Sequence, residues 1–187
     1  MSGQRLILAL AIAALVAGCG DGSSHVNIIS PGYTSIAGGR ITLSSDEVTL
    51  HGADAPEAKI NAGGDLHIGG NSVAINAAQR EQLQHYYLNA IAVREHGIAT
   101  GKAGTAVAGA ALKDAASGVA SGDAHKVSEQ VSAKAKLVKL AALKICHDMA
   151  GIKSAQDNLA AQLPAFKPYA GILDASSIDD CRSEDSE

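Results

Sequence analysis

Tryptophan is missing from this 187-residue chain, and Phe166 with four tyrosines makes up its whole aromatic complement. Stacking platforms for bases or sugars therefore have little to be built from. Positive charge is also short: 15 Lys and Arg stand against 19 Asp and Glu, a formal charge of −4, which argues against nucleic acid as a partner. The signatures that carry common chemistries are missing too. There is no G-x-S-x-G nucleophile turn, and no P-loop or G-x-G-x-x-G opens a helix after a strand. His25, His51, His67, His85, His96, His125 and His147 are scattered without H-x-x-x-H or H-E-x-x-H spacing, so no metal site or cofactor is expected. Glu81, Glu95, Asp114 and Glu129 lie on faces that read as solvated, so they suggest no acid–base pair. What the chain has in excess is small residues. Ala occurs 36 times and Gly 20 times, so 56 of 187 positions bring at most one methyl to a core.

The N-terminus reads as an export signal. Arg5 precedes Leu6 to Val16, an uninterrupted apolar run of eleven residues ending at Ala17 and Gly18. That run is too short to span a bilayer, which takes about 20 residues. Val16-Ala17-Gly18-Cys19 resembles the lipobox of bacterial lipoproteins, which implies cleavage after residue 18, acylation of the Cys19 sulfur and attachment to a membrane through lipid. Gly20, where an inner-membrane retention signal has Asp, implies the outer membrane with the domain facing the periplasm. Loss of Arg5 with the signal leaves 14 basic against 19 acidic residues, a mature charge of −5. Cys146 and Cys181 then remain in an oxidising compartment, without C-x-x-C spacing, and are expected to pair. Closing that loop stabilises the fold by roughly 3 to 4 kcal/mol in the chain-entropy account.

The mature chain divides by its hydrophobic period. After a tether at residues 19–24, apolar residues alternate at Val26/Ile28, Ile41/Leu43, Val48/Leu50, Leu66/Ile68 and Val73/Ile75, with Gly-, Ser- and Asp-rich turns between them. Residues 25–75 should form an antiparallel β-meander, covered on one face by a helix. At Asn76 the period becomes helical, and Asn76 with Gln79 makes a capping-box start. Leu83, Tyr87, Ala90, Ile91, Arg94 and Ile98 share a face that is apolar until Arg94, and Gly97, Gly101, Thr105 and Gly109 then recur every four residues with Gly104 beside them. Interior Gly costs about 1 kcal/mol each relative to Ala. This smooth stripe is therefore expected to be a helix-packing surface. Lys102, Lys113 and Asp114 leave only ten uncharged residues between them, so the stripe cannot be a membrane span.

A second helix should start near Asp123, after a break at Gly118, Ser121 and Gly122. Val127, Val131, Ala135, Val138, Ala142, Ile145, Met149 and Ile152 face the first helix, while Lys134, Lys136, Lys139 and Lys144 point elsewhere. Pro164 ends it. The fold class is thus α+β: a small N-terminal antiparallel β-meander followed by a long antiparallel helical hairpin over residues 76–173. Residues 174–187 read as an acidic tail tied only at Cys181.

The string Gly69-Gly70-Asn71-Ser72-Val73-Ala74-Ile75-Asn76-Ala77-Ala78-Gln79-Arg80, a last strand running straight into a capped helix, resembles the YggN-like family of proteobacterial envelope proteins. The resemblance covers residues 25 to 181 and implies export with a short β region followed by helices; it carries no catalytic residues across. The lipobox departs from its soluble periplasmic members. Together these features point to a non-catalytic outer-membrane-anchored lipoprotein that binds an envelope partner or plays a structural role, its oligomeric state open. A different reading is an inhibitor or immunity lipoprotein, in which a small anionic domain blocks a basic cell-wall hydrolase.

Overall fold

The computed structural model describes residues 26–30, 32–44, 46–121 and 124–183. The export signal, Cys19, the tether and His25 lie outside the described residues. Seven strands form one sheet: β1 (Val26–Ser30), β2 (Tyr33–Ile36), β3 (Ile41–Ser44), β4 (Glu47–Leu50), β5 (Ala58–Asn61), β6 (Leu66–Ile68) and β7 (Asn71–Ser72). Their spatial order is their chain order, and every neighbouring pair is antiparallel. Period-two alternation sets the register. Ile36 pairs with Ile41, Leu43 with Val48, Val48 with Ile60 and Ile60 with Leu66, so one face is aliphatic. Ser35, Thr42, Thr49, Lys59 and His67 alternate onto the other face.

Three helices follow: α1 (Ala77–Ser121), α2 (Ala124–Gln162) and α3 (Ala175–Ser183). α1 begins where its sequence says. The Gln79 N–H donates to Asn76 Oδ1 and the Asn76 N–H donates to Gln79 Oε1, each at 2.9 Å. At 45 and 39 residues, α1 and α2 run about 67 and 58 Å. They are antiparallel: the Gln79 carboxamide of α1 donates to the Gln162 carbonyl at the end of α2. Leu83, Tyr86, Ala90 and Val93 of α1 and Met149, Ile152, Ala155 and Leu159 of α2 are buried with the aliphatic sheet face. Phe166 and Tyr169, from a 3₁₀ turn at Pro164–Tyr169, complete this core; Phe166 meets Tyr86 edge-on at 6.2 Å. No helix among the described residues is long and apolar enough to cross a membrane.

Five expectations need correction. Val73 and Ile75 are not a strand, because β7 ends at Ser72 and the chain turns toward the Asn76 cap. β2 and β5 escaped the alternation count because Thr34 and Ala58 hold inward positions where larger aliphatics would have signalled a strand. α1 continues through Gly118 and ends at Ser121, so of the expected break only the Gly118 position is wrong. The hairpin ends at Gln162, not at residue 173, because Pro164 opens the 3₁₀ turn. Finally, the tail is not held by Cys181 alone. Asp174 caps α3 by accepting from the Ser177 N–H and hydroxyl, and Ile172, Leu173 and Ile178 are buried in the main core.

Candidate functional site

The helical hairpin has two unequal parts. Between Val93 on α1 and Cys146 on α2, none of the residues whose side chains are described is buried. The sheet, the 3₁₀ turn and the outer thirds of the hairpin form a base with a core. From Arg94 to Ser121 the hairpin projects about 42 Å as a stalk whose described side chains are half-buried or exposed.

Several polar clamps hold the base. Gln156, fully buried, donates to the carbonyls of Ala170 and Leu173 and accepts from the Leu173 N–H. This clamp locks the chain after the 3₁₀ turn against α2, and no sequence pattern marked it. Arg80 pairs with Asp65 and donates to the Gly63 carbonyl, docking the β5–β6 turn on the first turns of α1. The Arg80 guanidinium, helped by the Asn61 carboxamide, holds the Asp65 carboxyl below its ordinary range. Hydrogen bonds from Ser177 and Ser176 do the same for Asp174, more strongly. Burial pushes the Tyr86 phenol well above the usual tyrosine range, so it stays protonated.

Two features mark the hairpin near the base. A cleft of about 300 Å³ opens between α1 and α2 where Gly151 faces Asn89, with Gln82, His85, Ser154 and Asn158 on its walls. A Cβ at Gly151 would run into the Asn89 carboxamide, so the glycine makes room for that side chain between the helices. Just beyond it, His96 Nδ1 donates to Asp148 Oδ2 at 2.6 Å. The Asp148 side chain is only 9% exposed. This pair fixes the helices where base meets stalk. Among the described residues no three His, Cys, Asp or Glu stand together as a metal-holding group.

The predicted site residues fare differently. Cys146 and Cys181 join α2 to α3, their sulfurs at bonding distance and their Cα atoms 5.7 Å apart. Around Gly101, Gly104 and Gly109 the glycine stripe meets no neighbouring element. Gly101, Thr105 and Gly109 are exposed, a Cβ built on Gly101, Gly104 or Gly109 meets nothing within 4 Å, and Gly97 is half-buried. Toward α2 the same stretch presents Ala103, Ala106 and Val107. There they line an apolar groove of about 390 Å³ with Leu137 and Val138. Spacing by four identified one face correctly as smooth, but Ala serves close packing as well as Gly and at lower cost in helix propensity.

Comparison of the chain with protein-family models, with curated proteins and with solved structures finds no match.

Proposed function

We propose that this chain is a non-catalytic envelope lipoprotein, held by an acylated Cys19 on the outer membrane and facing the periplasm, that binds through its projecting stalk. The observation that carries the binding role is that none of the described side chains from 94 to 145 is buried. Two Ala-rich helices that bury only each other's margins gain little from apolar burial, since stabilisation scales with area at about 25 cal/mol per Å². A stalk of this kind is built to meet a third surface. Leu112, Leu137, Leu140 and Leu143 face outward on it. Membrane attachment rests on Val16-Ala17-Gly18-Cys19.

Two measurements test the reading. Cys19→Ser should release the protein from membranes and abolish labelling by a clickable palmitate analogue; unchanged labelling refutes the anchor. A photo-reactive amino acid in place of Leu140 should give adducts in intact cells, to lipid or to protein. Absence of any adduct there, with adducts formed instead from a photo-reactive residue on the sheet, would move the binding surface to the base. Capture of a cell-wall hydrolase by that base would favour the inhibitor reading.

A further inference from the structure

The charge of the chain is not evenly spread. Residues 101–145 hold seven Lys against Asp114, Asp123 and Glu129, while the rest of the chain holds eight basic and sixteen acidic residues. A chain of net charge −4 thus carries +4 on residues 101–145 and −8 on all the rest, or −9 once Arg5 leaves with the signal. On α2, Lys136, Lys139 and Lys144 are exposed in the same stretch as Leu137, Leu140 and Leu143, and these leucines are 65%, 59% and 37% exposed. At 100° per residue the three leucines fall within one third of the helix circumference, with Lys136 and Lys144 inside that arc and Lys139 at its margin. The apolar groove of Ala103, Ala106, Val107 and Val138 adjoins Leu137 and widens the apolar strip.

From this juxtaposition we infer that the stalk lies on an anionic phospholipid bilayer, with the α2 leucines entering the headgroup boundary and the lysines reaching the phosphates. Exposed leucines mixed with snorkelling lysines on a helix that cannot span fit an interfacial position. Complementary charge selects the occupant. Each Lys near an anionic surface contributes about 1 kcal/mol, or about fivefold in affinity. In a twofold stalk-on-stalk pairing a second copy would bring its own like charge to the same face, whereas a bilayer rich in phosphatidylglycerol brings the opposite sign. The inference rests on the stalk being the binding element and is independent of Cys19.

The test is flotation of the chain from Gly20 onward, which keeps every residue of the sheet, helices and core, with vesicles of phosphatidylethanolamine containing about a quarter phosphatidylglycerol. Phosphatidylcholine vesicles serve as the neutral control. The chain should float with the anionic vesicles, weakly or not at all with the neutral ones, and less as salt rises and screening shortens. K136Q/K139Q/K144Q should lose about a hundredfold in affinity, and L137S/L140S/L143S should also be released, both with unchanged melting temperature because all six side chains are exposed. Equal binding to neutral vesicles, or binding indifferent to both triple variants, overturns the inference. So does a lipid-free dimer that L137S/L140S/L143S dissolves while vesicles capture nothing. A protein adduct at position 140 in cells together with failed flotation would overturn the lipid surface and leave the stalk as a binding element.

Discussion

Two glycines show how differently the same residue type is used. Gly64, in the β5–β6 turn, has φ of +73°, and a Cβ there would lie 2.7 Å from the Arg80 carbonyl oxygen of α1. Gly64→Ala should therefore destabilise the fold by roughly 1 to 3 kcal/mol, since both the backbone angle and the docked helix oppose it. Gly101 sits in open solvent in the middle of a helix. Gly101→Ala should stabilise by up to about 1 kcal/mol through helix propensity alone. Opposite shifts of the urea midpoint would establish both assignments, and a loss at Gly101 would restore the packing role that its spacing suggested. Asp65 and Asp174 set the acid limb. Their folded-state pKa values lie below the unfolded ones, so their contribution is complete above about pH 4 and fades as pH falls through the folded values. Asp174→Asn should flatten the loss of stability measured below about pH 4.

At the level of elements, the pairing of helices depends on a few cross-ties between sparse apolar contacts. His96→Ala would leave the nearly buried Asp148 carboxylate without its partner and should cost roughly 1 to 3 kcal/mol, read by chemical denaturation. Loss of the Cys146–Cys181 bridge should cost roughly 3 to 4 kcal/mol, with α3 exchanging its amide hydrogens first. Some of these elements could be read from the sequence and some could not, for identifiable reasons. The Asn76–Gln79 cap and the stop at Pro164 are local, so neighbouring residues announce them. β3, β4 and β6 were visible because both inward positions are aliphatic or nearly so. β2 and β5 were hidden by Thr34 and Ala58, whose burial depends on partners elsewhere in the sheet. The Gln156 clamp and the His96–Asp148 tie span 17 and 52 residues, and no local pattern records such distances. The glycine stripe is legible as a face, while what it meets is not. Periodicity fixes which residues share a side of a helix and leaves open what that side meets.

For the whole molecule, the division into base and stalk has a consequence for folding. All buried hydrophobic residues of the core come from residues 36–93 and 146–178. The described side chains of the stalk bring none, so the base should not depend on the stalk for stability. At the cut, α1 and α2 already run side by side, held by Gly151 against Asn89 and by the His96–Asp148 tie. Replacing residues 101–141 with a short Gly- and Asn-rich turn should thus leave a cooperative unfolding transition within about 5 °C of the parent, a shift equivalent to about 1 kcal/mol at this size. The shortened protein should also lose the capacity of the parent to bind anionic vesicles. A collapse in melting temperature would mean that the hairpin nucleates the base rather than projecting from it. Retained cooperativity with retained vesicle binding would place the lipid-binding surface on the sheet or α3, against the charge distribution that separates a basic stalk from an acidic body.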